Sequence, residues 1–370
     1  MLEDQDMDQD DLPGGDLQGH EGAEQIFLDA YNADRLHHAW LITGPRGIGK
    51  ASLARRIARF MLHHPPTNND SPGLFGAEED KVPLASLATD PESASNMIIT
   101  AGGHGGLITV TRQVNEQSGK LRAEIIIDDV RKLQGFFSMT SFEGGWRIAI
   151  IDSADEMNRN AANALLKLLE EPPKNTLLVL VAHAPGRLLA TIRSRCRKLR
   201  LNPLPPDIVE KILRKRYPDL AASEISGYAL LSDGSPGYAI RLVENQGLEL
   251  YSRILNILAT MPELDVPLIH KLADSLATKK SEQKYTLFTE LLSSFITRMI
   301  RHVAALESGH ESPVKETLAG EAELMERLGR RLALDQWVEL WEKILDKTGR
   351  INLDRRQVIL NILTLINQKI

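Results

Sequence analysis

Gly44-Pro45-Arg46-Gly47-Ile48-Gly49-Lys50-Ala51 is the stretch that decides how this 370-residue chain folds. It matches the phosphate-binding loop pattern G-x-x-x-x-G-K-[S/T] at every position but the last. Gly44, Gly47 and Gly49 let the backbone wrap tightly so that peptide N–H groups face an anion, and the start of a following helix favours the same charge. Lys50 is placed to reach β- and γ-phosphates, whereas Ala51 lacks the hydroxyl that would coordinate Mg²⁺. The flanks supply the required context. Ala39–Thr43 reads as an apolar strand, and Leu53, Ala54, Ile57 and Met61 share one helical face beyond the loop. The loop therefore predicts a P-loop fold. Occupancy by nucleotide is a separate question, and a glycine turn without nucleotide stays open.

Outward from the loop, residues 24–36 read as a helix on the spacing of Ile26, Phe27, Ala30 and Tyr31. Residues 63–106 change character: Pro65-Pro66, Asn68-Asn69, Pro72-Gly73 and Gly102-Gly103 surround little periodicity, as in a partly flexible insertion. Regularity returns at Ile125–Ile127, followed by a helix over 128–139 and a buried strand over 147–152. A helix over 158–171 carries Ala161, Leu165, Leu168 and Leu169, and Pro172-Pro173 stops it. Leu177–Ala182 is wholly apolar, as a parallel strand covered on both faces must be. These alternating elements predict an α/β domain over 18–202. Asn202-Pro203-Leu204-Pro205-Pro206 marks a boundary, after which a small helical unit occupies 203–247. The rest, 248–370, is helical by pattern. Phe288, Leu292, Phe295, Met299 and Val303 form one stripe, and Trp337, Leu340, Trp341 and Ile344 another. Such stripes are core, or a face that joins a neighbouring subunit.

Composition narrows the function classes. A hydrophobic content of 42% with 25% charged residues belongs to a globular protein. A single cysteine, Cys196, excludes an intrachain disulfide and a cysteine-based zinc site, and fits a reducing compartment. No apolar run is long enough to span a bilayer, so no membrane association is expected. Residues 1–11 carry six acids and no base, which accounts for the whole net charge of −6. Residues 1–17 therefore read as a disordered acidic tail, and the remainder is neutral. A dedicated DNA-binding domain would be basic, so any contact with nucleic acid is expected to be weak or shared with partner subunits. His63, His64 and His104 lack the spacing of a metal site, and no metal is expected.

A second acidic motif ends the strand Ile148-Ala149-Ile150-Ile151. Asp152 stands where an aspartate holds the water shell of a nucleotide's metal. The next position, where a glutamate would polarise an attacking water, is Ser153, a poor base at neutral pH. Asp155 and Glu156 are expected to cap the following helix rather than to catalyse.

Two further runs bring a family into view: Asn160–Pro173, N-A-A-N-A-L-L-K-L-L-E-E-P-P, and Ser194-Arg195-Cys196. With Gly19-His20-Glu21, Leu36-His37-His38-Ala39-Trp40 and Gly234-Ser235-Pro236-Gly237, they resemble the AAA+ clamp-loader subunits. Among these the pattern is most similar to the delta-prime type of bacterial DNA polymerase III, over about residues 18–245. The resemblance implies an α/β AAA+ P-loop NTPase domain, a small helical lid and an all-helical C-terminal collar domain. It implies that Arg195 is an arginine finger acting in trans on ATP bound by a neighbouring subunit. The implied partners are the gamma/tau and delta clamp-loader subunits, with the sliding clamp and primed DNA engaged through the complex, in the cytoplasm.

Departures from the hydrolysing sister subunits agree with Ala51 and Ser153. Gly237 falls where those subunits carry an arginine that reads the γ-phosphate, the sensor position falls at Ala182 or His183, and their four-cysteine zinc module is missing. The expected function is that of a stator without intrinsic ATPase within a DNA polymerase holoenzyme. ATP or ADP held without hydrolysis, on Gly44, Gly47, Gly49, Lys50 and Asp152, is its cofactor, and no zinc is expected. The alternative is an autonomous AAA+ ATPase acting on DNA, which Lys50 and Asp152 favour and positions 51, 153 and 237 oppose. A small-molecule P-loop kinase would leave the Ser-Arg-Cys motif without a role.

Overall fold

A parallel strand covered on both faces must be apolar along most of its length, and three segments of the chain meet that demand, each with one polar residue at an end. In the computed structural model, β1 (Ala39–Thr43), β3 (Arg147–Ile151) and β4 (Thr176–Ala182) form the middle of a five-stranded parallel sheet. β2 (Leu107–Val110) and β5 (Arg197–Arg200) are its edges, in the order β2-β3-β4-β1-β5. The structure describes residues 17–64, 66, 83–90, 92–100, 103–115, 117–138, 145–278, 281–348 and 354–370. The acidic tail expected over 1–17 lies, apart from Leu17, outside these residues, as does most of the first half of the 63–106 insertion.

Alternate strand residues feed two separate cores. Trp40, Ile42, Ile148, Ile150, Val179 and Val181 face α1 (Glu21–Asn32) and α2 (Lys50–His63), which contribute Phe27, Leu53, Ile57 and Phe60. Leu41, Ala149, Ile151, Leu178 and Leu180 face the other way, onto Val130 and Leu133 of α4 (Ile127–Ser138), Ala161 and Leu165 of α5 (Arg159–Glu170), and Ile192 of α6 (Ala190–Ser194). This three-layer sandwich, with the P-loop leaving β1, is the AAA+ α/β arrangement expected from the sequence. α5 starts as its sequence dictates, with the Asn158 side chain accepting the Ala161 N–H at 2.9 Å.

Three differences from the sequence reading stand out. β2 and β5 are strands that the sequence reading did not pick out: β2 is Leu107-Ile108-Thr109-Val110, and β5, Arg197-Lys198-Leu199-Arg200, is basic at three of four positions, as a solvent-facing edge permits. The regularity at Ile125–Ile127 consists of a lone bridge from Ile125 to Met157 and the first residue of α4 (Ile127–Ser138). Within the insertion, α3 (Ala94–Thr100) is helical, and Leu87 is buried in the same core as Phe27.

Residues divide into two compact units, Met1–Leu204 with Ser235–Gly237, and Pro205–Gly234 with Tyr238–Ile370. The second is helical: α7 (Pro206–Arg216), α8 (Ala222–Leu231), most of α9 (Pro236–Glu244), α10 (Gly247–Ala259), α11 (Val266–Leu276), α12 (Glu282–Glu307), α13 (Glu321–Gly329), α14 (Leu334–Thr348) and α15 (Arg355–Lys369). The stripes at Phe288–Val303 and Trp337–Ile344 are core where α12 packs on α14, with Trp341 only partly buried. Among the described residues no helix is long and apolar enough to cross a membrane.

One ionic network holds the 308–320 connection onto this unit. The buried Glu321 carboxylate accepts from the Thr317 N–H at 2.7 Å and from the Tyr251 hydroxyl, and forms an ion pair with Arg298 at 2.8 Å. Arg298 also donates to Thr317 Oγ1 at 3.0 Å and to the Lys315 carbonyl at 2.6 Å. Removing one charge strands the other in the interior. Arg298→Ala should therefore cost about 3–5 kcal/mol of unfolding free energy in a denaturant titration. The Arg298→Ala/Glu321→Ala double variant should cost less than the sum of the two single changes; strict additivity would mean that the pair is not coupled.

Candidate functional site

Parallel strands end together, and their C-terminal ends carry the residues in question. Leu180 of β4 aligns with Leu41 of β1 on one side and Ile151 of β3 on the other, so Gly44, Asp152 and His183 follow from one edge of the sheet. Gly47 and Gly49 have φ of 68° and 97°, a region that side-chain-bearing residues seldom adopt.

Four successive P-loop carbonyls are each bound by a donor of the protein. Pro45 O accepts from Lys50 Nζ at 2.5 Å, and Arg46 O from the Ser235 hydroxyl at 2.9 Å. Gly47 O accepts from the Gly237 N–H at 2.8 Å, and Ile48 O from His20 Nε2 at 2.7 Å. A carbonyl cannot donate, so His20 carries its proton on Nε2. In a planar trans peptide the C=O and N–H point opposite ways. Each N–H of Arg46, Gly47, Ile48 and Gly49 therefore points away from the donor on the carbonyl of its own peptide, a run of amides of the kind that forms an anion nest. Lys50 is buried, and its ammonium folds back over its own loop. Ala51 is buried beside it and offers no metal ligand.

The second strand end is tied to its neighbour instead of being left open for a water. Ser153 sits at φ 58°, ψ 48°, and its hydroxyl is 3.1 Å from His183 Nε2. The Asp155 carboxylate accepts the N–H groups of His183 and Ala184 at 3.0 and 2.8 Å. Glu156 pairs with Arg112 at 2.8 Å and with Arg46 at 3.2 Å. Neither acid caps α5, contrary to the sequence expectation, because Asn158 already does so and the Ala154–Glu156 turn aims both carboxylates elsewhere.

Arg195 ends α6. Its guanidinium donates to the Thr191 carbonyl at 3.1 Å and pairs with Glu170 at 2.8 Å, and its side chain remains 38% exposed. The flanking arginines are otherwise engaged: Arg193 donates to Pro185 O at 3.2 Å, and Arg197 lies 5.0 Å from the Trp40 ring centroid. Cys196 is buried, and burial pushes its thiol up to about 12, far from thiolate chemistry at neutral pH. Sequence reasoning brought Gly44, Gly47, Gly49, Lys50, Asp152 and Arg195 into view but gave no role to His20 or Ser235, took Glu156 for a helix cap, and gave no role to Glu170. Their partners lie 28, 189, 110 and 25 positions away along the chain, the last being Arg195 minus Glu170, where no local pattern reaches.

Burial holds His20 below its ordinary value of 6.5, against the raising effect of its bond to Ile48. The folded chain thus resists a proton that the unfolded chain accepts, so stability falls as pH drops through about 6.5. His20→Asn should show a smaller fall in melting temperature than wild type between about pH 7.5 and 5.5. Equal falls would remove His20 from the acid sensitivity.

The chain is 36% identical over 206 residues to the DNA polymerase III subunit delta' of Pseudomonas aeruginosa, covering 55% of each chain. It is 32% identical over 198 residues to the gamma/tau subunit of Mycobacterium tuberculosis (strain H37Rv), covering 53% of this chain and 30% of that one. The chain spans about half the length of the curated delta' relatives that it matches first. Among solved structures, a gamma subunit-related protein of Thermotoga maritima aligns over 93% of this chain and 99% of its own, at 18% identity and a TM-score of 0.40. The family model described as DNA polymerase III, delta subunit, matches residues 19–205, just over half of the sequence, and the chain belongs to that family.

Proposed function

We propose that this chain is a delta-prime-type stator of a bacterial replicative clamp loader. In this role it hydrolyses nothing itself and completes the ATP site of a neighbouring gamma/tau-type subunit with Arg195. The carrying observation is a contrast in the placing of side chains. Arg195 is half-exposed on a short helix end, while positions 51, 153 and 237 lack the groups that would use ATP in place. A guanidinium supplied from a neighbour neutralises charge developing on a transferring phosphoryl and registers that ATP is present there. Such a subunit would act in the cytoplasm, with the delta subunit, the sliding clamp and primed DNA reached through the assembled complex.

The chain's own loop fits phosphates better than it fits their metal. N–H groups of residues 46–49 would hold the anion, and Lys50 Nζ would exchange Pro45 O for a phosphate oxygen. A bound nucleotide would supply negative charge to that nest. Asp152 is present for a metal's water shell, but the direct ligand at position 51 is not. ATP or ADP is thus a structural ligand in this reading, and hydrolysis has no base, since Ser153 is engaged with His183.

Two measurements test the proposal. Arg195→Ala should lower ATP hydrolysis by the reconstituted complex, on the order of a thousandfold at the site it completes, with the melting temperature of the isolated chain unchanged. Unaltered hydrolysis would sink the finger role, and steady-state turnover by the purified chain would replace the stator with an autonomous ATPase. ADP or ATP should raise the melting temperature of wild type and not of Lys50→Ala; equal shifts would end specific P-loop binding.

A further inference from the structure

We infer that Glu170 is a positioning residue for Arg195, holding the guanidinium in the orientation it presents to the neighbouring subunit. This rests on the trans role proposed for Arg195 and adds the group that aims it. The two residues sit on anchored backbone. Glu170 is the last residue of α5, whose end is fixed by the buried Leu169 side chain and by His38 Nε2, which donates to Leu169 O at 3.0 Å. Pro172 follows and prevents the helix from continuing. Arg195 is fixed by its N–H to Ile192 O at 3.1 Å and by the burial of its neighbour Cys196.

Between these fixed points both side chains are substantially exposed, at 38% and 50%, so core packing does not choose their rotamers. The choice falls to one hydrogen bond and one ion pair. Nη1 donates to Thr191 O, and Nη2 lies 2.8 Å from Glu170 Oε1, one contact on each arm of the planar fork. Together they set the plane of the guanidinium and take only part of its set of five N–H donors. The others remain for a phosphoryl group. An arginine free to rotate would have to surrender side-chain entropy on reaching its target, and one already held surrenders less. Glu170 contacts neither substrate nor reacting atoms in this arrangement; its effect passes through Arg195.

The opposite reading makes Glu170 a holster that competes with phosphate for the guanidinium. The single carboxylate oxygen in contact argues against it, because a bidentate grip on both arms would be needed to withhold the fork. The two readings predict opposite signs.

The test uses the full complex with its hydrolysing partner subunits and follows the share of ATPase that Arg195→Ala abolishes. Glu170→Ala should reduce the kcat of that share about fivefold, a change of ~1 kcal/mol at RT 0.59 and the upper range for an exposed pair. KM for ATP should stay within about twofold, since an aimed finger acts on the transition state. Glu170→Gln keeps an acceptor oxygen for Nη2 and should recover most of the rate. In the Arg195→Ala background, Glu170→Ala should have no further effect. A rate at or above wild type for Glu170→Ala overturns the inference, and so does a full effect that persists without Arg195 or is not rescued by glutamine. If Arg195→Ala itself leaves hydrolysis unchanged, the trans role fails first.

Discussion

A strand buried along its whole length cannot slip by one residue without turning every side chain to the wrong layer. All seven residues of β4 are buried, and the strand is paired with β1 on one side and β3 on the other. That double pairing levels the three strand ends. It is why the P-loop, Asp152-Ser153 and His183 emerge together, although some 30 to 140 residues separate them in the chain (43→182 being 139 apart). The site is a consequence of register before it is a consequence of any one side chain.

On that edge, the loop that would wrap a phosphate is kept in shape by the protein. A buried carbonyl without a donor costs roughly 1–3 kcal/mol, so four anchored carbonyls make a loop whose geometry does not wait for a ligand. Their donors come from distant places: the loop's own helix, His20 before α1, and the segment Ser235–Gly237. Glycine at 237 contributes a backbone N–H to the loop and has no side chain that could reach a phosphate. In the proposed non-hydrolysing role, glycine at this position would keep the staple while offering no sensor side chain, so the P-loop could persist as architecture.

Legibility from sequence followed the range of the interaction that decides each feature. β1, β3, β4, α2 and α5 were plain because their burial is written in local periodicity, and Asn158 with Pro172-Pro173 framed α5 directly. β5 escaped notice because an edge strand of Arg197-Lys198-Leu199-Arg200 carries a surface composition; its partner β1 makes it a strand. Asp155 and Glu156 were read as helix caps, since carboxylates before a helix usually are. The left-handed turn at Ser153 redirects them to the β4 end and to two arginines. Ala51, Ser153 and Arg195 could be singled out by motif, but the partners of Ser153 and Arg195 could not.

Acting on one's own nucleotide and acting on a neighbour's place contrary demands on a basic side chain. Lys50 is 2% exposed and bonded within its loop, as befits a group whose ligand would arrive inside the fold. In the trans role proposed for it, Arg195 would meet a phosphate that belongs to another chain, so it would have to stay in solvent and still keep one direction. Deep burial would give it direction without access, and a free rotamer would give it access without direction. A half-exposed guanidinium held by one carbonyl and one carboxylate oxygen, each worth little against water, lies between these extremes. In the proposed role the weakness of that exposed pair would be useful: strong enough to bias the rotamer, and too weak to keep the arginine from a triphosphate.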